Sequence, residues 1–185
     1  MAVIESIRGE FIRYKALAEA AMAQTEDAEL SRDPAADGNA IATICAHVAG
    51  NLKSRFTDFL TTDGEKTWRR RDEEFLPRQV TRADVLADWD AGWHVLLDTL
   101  AQLDDSHLGR TITIRGQALR VDEALHRSLA HTAYHCGQIV LLAKNARGAA
   151  WRSLSIPRGK SDEANRSPSL QLPDEHARAL RESGR

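Results

Sequence analysis

The chain has 185 residues, 42% of them hydrophobic, with a net charge of −2. That length fits one domain with an appended tail, and the near-neutral charge gives no electrostatic reason to expect nucleic acid as a partner. Two cysteines, Cys45 and Cys136, show no metal-ligand spacing, and such sparse cysteine points to a reducing compartment without a disulfide. No apolar run approaches the ~20 residues that a membrane-spanning helix needs. The N-terminal stretch is charged too early for a signal peptide, so the expected location is the cytoplasm.

Four segments carry helical periodicity. The first covers roughly residues 2–28, with Ile4, Ile7, Phe11, Tyr14, Leu17 and Met22 near one face. Pro34 and Gly38 then signal a loop. The second runs from about Asn39 to Leu60 through Ile41, Ile44, Cys45, Val48, Leu52, Phe56 and Phe59. The stretch "TTDGEKTWRRRDEEFLPRQV" has no stripe and reads as a long connection. Its run from Trp68 to Glu74 carries both signs, as an internally paired loop or a dimer contact would.

The third helix starts at Thr81, where an acid three residues on forms a capping pattern, and continues to about Leu103 through Val85, Trp89, Trp93, Leu96 and Leu100. "GRTITIRGQALRV" alternates apolar and polar residues on both sides of Arg115-Gly116, the pattern of a short β-hairpin. The fourth helix runs from about Asp122 to Arg147, with Gly148 as its stop. The expected fold is all-α: a four-helix bundle over residues 1–148 with a hairpin before its fourth helix. Residues 149–185 form a tail rich in Pro, Ser and charge. Its first part is expected to lie on the bundle and its end to be mobile.

His131 and His135 stand four residues apart in "AHTAYHCGQIVLLAK". On a helix they sit one above the other, about 6 Å apart along the axis, and both can reach one ion. They lie at the edge of the apolar face formed by Leu125, Leu129, Cys136 and Ile139. A third ligand is best sought at His47, at the edge of the second helix's apolar face. His94 and His126 point away from these faces, His107 is in a loop and His176 in the tail. Spacing alone leaves open whether the pair is a metal site, core filler or surface. Thr132 stands where an HExxH motif would place its glutamate, so no general base is built in beside the pair. "IPRGKS" lacks the first glycine of a P-loop and follows no strand, which argues against nucleotide binding there.

At these residues a family resemblance enters. "AHVAGNLKSRFTDFL", "TTDGEKTWRRRDEEF", "HTAYHCGQIVLLAK" and "SLSIPRGKS", in that order, resemble an uncharacterised bacterial subfamily of the DinB-like (YfiT-like) superfamily of four-helix-bundle metalloproteins. The resemblance covers roughly residues 1–165. It implies an up-down-down-up bundle, usually a homodimer, with one histidine on the second helix and two on the fourth. Carried over, these are His47, His131 and His135. The implied cofactor is one divalent ion, with zinc, nickel or iron all suited to nitrogen ligands. Three ligands leave coordination positions open, as in catalytic sites.

Superfamily relatives include metal-dependent transferases and isomerases that use low-molecular-weight thiols. The resemblance therefore implies a thiol activated for attack on an electrophile. Asn51 and Arg55 are then candidates to bind the thiol's carboxylate or amide, with Gln138 lining the same pocket. Their alternative is a surface salt bridge or a core hydrogen bond. Tyr134 and Cys136 read as packing residues. Two other functions stay open: a hydrolase using metal-bound hydroxide, and a non-enzymatic stress-associated binding or dimerisation module.

Overall fold

A computed structural model describes residues 2–35, 38–77 and 79–183. Among them the fold is mostly helical: α1 Val3–Met22, α2 Asp27–Leu30, α3 Ile41–Phe56, α4 Arg82–Ala101, α5 Val121–Arg147, α6 Ser161–Arg166 and α7 Pro173–Ser183. One two-stranded sheet, β1 Thr111–Ile114 and β2 Gln117–Arg120, precedes α5.

The four long helices share one core. Phe11 of α1, Leu52 and Phe56 of α3, Trp89, Trp93 and Leu96 of α4, and Leu125 and Ile139 of α5 are all fully buried. Each such side chain stabilises the fold by about 1.5–3 kcal/mol through burial. Trp93 meets Phe11 edge-on, with ring centroids 6.2 Å apart. α3 packs on α4 and α5, and α1 packs on α5 and α4. The α3–α4 contact is close because Gly92 carries no side chain: a Cβ there would lie 2.6 Å from Ala49 Cα.

The first periodic segment is not one helix. It breaks after Met22 and resumes as the short α2, whose Leu30 is buried. The break is held by polar groups that a search for apolar periodicity passes over. Thr25 Oγ1 donates to the Met22 carbonyl at 2.7 Å, and Gln24 exchanges hydrogen bonds with the Arg152 backbone. The guanidinium of Arg82 donates to the carbonyls of Met22 and Thr25 and pairs with Asp27. Carbonyls left open at a helix end are thus satisfied from another helix.

α3 ends at Phe56, earlier than its apolar stripe suggests, because Thr57 is extended and Asp58 has φ +48°. Phe59 is still buried beyond that turn, against Phe56. α4 begins as expected, with Thr81 and Asp84 capping each other reciprocally. α5 stops at Gly148, whose φ is +55°. In the hairpin Thr111 pairs with Arg120 and Ile114 with Gln117. Arg115 and Gly116 both take positive φ, as a two-residue type I′ turn requires. The Asp63 carboxylate accepts the N–H groups of Arg115 and Gly116, and Gly64 N–H donates to Thr113 O. The loop after α3 is thereby stitched to the hairpin.

Within the tail, Pro173–Ser183 forms α7, packed on α1. Ala177 and Leu180 are buried against Ala16 and Ala20 of α1. His176 Nε2 lies 2.8 Å from the Leu154 carbonyl oxygen. Ile12 and Leu17 of α1, together with Leu154, pack beside this cluster of alanines and Leu180. No helix among the described residues is long and apolar enough to cross a membrane.

Candidate metal centre

α3 and α5 bury neighbouring apolar stripes, and this packing turns the flanking histidines toward each other. His47 comes from α3 and is buried; His131 and His135 come from α5 and are half-buried. His47 Nε2 and His135 Nε2 each lie 3.2 Å from His131 Nε2. Two nitrogens bound tetrahedrally to one zinc at ~2.0–2.1 Å are about 3.3–3.4 Å apart, so the spacing fits a shared ion. Among the described residues these three could hold a metal ion, with all their ligand atoms within 4.8 Å of one another.

The outer ring nitrogens set the tautomers. His47 Nδ1 lies 2.9 Å from Glu74 Oε2. A carboxylate only accepts, so in the neutral ring the proton sits on Nδ1 and Nε2 presents a lone pair. His135 Nδ1 likewise faces Gln138 Oε1 at 2.8 Å. The Nε2 lone pairs of His47 and His135 converge on His131 Nε2, where either an Nε2–H of His131 or a cation can lie between them. The donor chemistry therefore fits a divalent ion.

Protonation agrees with this arrangement. Burial pushes the His131 imidazole down to about 4, and His135, His47, Arg69 and Arg55 add to the effect. Burial also lowers His135; Gln138 opposes the shift and His47 reinforces it. Both rings are then neutral near pH 7, the form that binds metal.

Glu74 is the residue that sequence reasoning missed. It lies in a short 3₁₀ turn, Arg71–Phe75, inside the stretch read as a connection. Arg69 clasps its carboxylate with two bonds of 2.8 Å. Burial alone would raise the Glu74 pKa, but hydrogen bonds from His47 and Arg69 outweigh it and hold the carboxyl below its usual range. Gly50 makes room for this acid: a Cβ there would lie 2.2 Å from Glu74 Oε1. Phe75 packs on the His47 ring at 4.7 Å, and Arg71 lies over Phe75 at 4.9 Å. The mixed-sign run is internally paired, Arg69 with Glu74 and Arg70 with Glu73.

A cleft of about 200 Å³ opens beside His47 and His131. Asn51 and Arg55 line it, as does Ile114 of the hairpin. Arg55 is tied to the Gly64 carbonyl and to Glu65 Oε2, the latter at 3.0 Å. Gln138 is not on the cleft wall. It sits behind His135, with its Nε2 donating to the exposed Tyr134 hydroxyl at 3.2 Å. Cys45 and Cys136 are free and buried. Burial pushes both thiols up, Cys136 to about 12, so neither supplies a thiolate near neutral pH. The other histidines lie elsewhere: His94 pairs with Asp98 on the surface, His107 caps a turn with Asp104, His126 is exposed and His176 belongs to α7.

Fold and site together define a mostly helical protein with a three-histidine cluster that could hold a metal ion. Residues 1–160 match the model of a family described as a protein of unknown function (DUF1572), and the chain belongs to that family. No curated protein and no solved structure matches the chain.

Proposed function

We propose that this protein is a metal-dependent enzyme on a DinB-like four-helix bundle, which activates a low-molecular-weight thiol for transfer or isomerisation. The observation that carries the proposal is the convergence of three Nε2 atoms beside an open cleft. His47, His131 and His135 would hold the ion, leaving at least one position for a ligand from the cleft. The chemistry that a bound divalent ion supplies in such a place is Lewis acidity, which lowers the pKa of a thiol into the neutral range.

The chain's own residues divide the remaining work. Glu74 and Gln138 fix the rings of His47 and His135. Asn51 and Arg55 stand on the cleft wall, placed to hold polar groups of the thiol. The protein's two thiols are buried and protonated, so the reacting sulfur comes from the ligand. A hydrolase takes second place for a specific reason. None of the residues that line the cleft is a carboxylate, and the nearby Glu74 is already bound to His47 and Arg69. Among the described residues that line the cleft, none therefore offers a free carboxylate as general base for water.

The test is elemental analysis of the purified protein followed by a thiol assay. About one divalent ion per chain is expected, with loss of that ion in His131→Ala and electrophile-dependent thiol consumption by the loaded wild type. A wild type that takes up no metal on supplementation overturns the proposal. Thiol-independent hydrolysis would transfer it to the hydrolase reading.

A further inference from the structure

We infer that the cleft beside the histidines is an anion subsite selective for a small carboxylate-bearing molecule, with Arg127 and Ser128 as its binding elements. The inference rests on the proposed function only for what lies next to the subsite.

Five arginines line the cleft: Arg55, Arg69, Arg71, Arg115 and Arg127. Their partners are fewer. Glu65 serves both Arg55 and Arg115, at 3.0 and 2.8 Å. Glu74 serves Arg69, and the exposed Asp72 lies 3.5 Å from Arg71. Among the described residues these pairs set three carboxylates against five guanidiniums, and Asp63, bound to the Arg115 and Gly116 N–H groups, adds a fourth, which leaves the lining an excess of positive charge. The whole chain is net negative, at −2, so this excess belongs to the cleft and not to the protein at large.

Arg127 has no ion-pair partner among the described residues and stands exposed at the cleft. Its neighbour Ser128 is 8% exposed and also lines the cleft, yet its hydroxyl makes no hydrogen bond. A buried hydroxyl without a partner costs stability unless a ligand completes it. Both residues lie on the stretch of α5 that leads to His131, so an anion held there lies beside the three nitrogens.

The chemistry selects the anion. Guanidinium presents a planar fork that matches carboxylate bidentately, and a serine hydroxyl adds one further donor. The cleft meets the side of α5, at Ala124, Arg127, Ser128 and His131, and not its N-terminal tip, where phosphate is usually bound. Its volume of about 200 Å³ suits a small acid and not a nucleotide.

The experiment is calorimetric titration of the metal-loaded protein with succinate, its neutral analogue succinamide, and inorganic phosphate. Succinate is expected to bind, to weaken in high salt, and to bind about ten-fold more weakly or worse in Arg127→Gln and in Ser128→Ala. Arg127 is exposed, so its replacement leaves the fold intact. Succinamide is expected not to bind. The His131→Ala protein, checked for folding by circular dichroism, is expected to keep succinate binding within a few-fold, which separates this subsite from the metal reading. Succinate affinity unchanged in Arg127→Gln, phosphate bound more tightly than succinate, or succinate binding abolished in folded His131→Ala would each overturn the inference.

Discussion

Glu74 Oε2 accepts a hydrogen bond from His47 Nδ1 at 2.9 Å, and the space it occupies exists because residue 50 is glycine. An acid from a loop thus orients a ring on α3. Partners of this kind are worth about 10–100-fold in metal affinity. Glu74→Gln and Gly50→Ala should each lower affinity in that range, measured by competition with a chromophoric chelator. Gly50→Ala is the sharper test. Within a helix that change normally adds up to about 1 kcal/mol of stability. Weaker metal binding in a protein whose helix content holds would trace to the displaced carboxylate.

Acid should destabilise the metal-free protein at the same cluster. The ordinary histidine value of 6.5 applies to the unfolded chain, whereas burial holds folded His131 at about 4. Between those values the unfolded state binds more protons, so stability rises with pH across the window and levels off above 6.5. His135 is shifted in the same direction. Urea midpoints at pH 7.5, 6 and 5 should fall in that order, and His131→Gln should flatten the trend. A midpoint in the wild type that holds steady from pH 7.5 to 5 would contradict it.

The α3–α4 contact admits no extra atom. In Gly92→Ala the new Cβ would meet Ala49 Cα at 2.6 Å, a backbone atom that can yield only if the helices separate. A loss of about 1–3 kcal/mol is expected from overpacking. Thermal denaturation should show it as a lower Tm.

Removing residues 169–185 deletes α7 and uncovers Ala16 and Ala20 on α1. The truncated protein should lose stability in urea and still bind metal, since α7 packs on α1 and no residue of α7 belongs to the histidine cluster. Loss of metal binding in a folded truncation would refute that independence.

What was legible followed from period. His131 and His135 share a face because helical spacing requires it, and the four apolar stripes marked the helices that share the core. The capping pair Thr81 and Asp84 and the Arg115-Gly116 turn were legible because each has a local chemical signature. Glu74 was hidden among three consecutive acids in a segment without periodicity, where only tertiary packing selects the one beside His47. Gln138 stands three residues after His135, a spacing at which side chains meet on a helix. It was nonetheless expected on the cleft wall, because spacing alone does not say which atom of the ring it touches. α7 is not legible from apolar periodicity because its buried face is short, His176, Ala177 and Leu180, and is completed by another helix.

Arg82 fastens the corner where α1 ends. Its guanidinium holds the carbonyls of Met22 and Thr25, residues 60 and 57 positions earlier. This corner therefore cannot close until the chain has doubled back over a long loop, and the entropy of that closure must be met first. Its bonds are expected to form after the rate-limiting step. Arg82→Ala should then accelerate unfolding while leaving the refolding rate nearly unchanged, a pattern that stopped-flow chevrons would reveal. A single side chain at the start of α4 would in this way act as a latch on the lifetime of the native state.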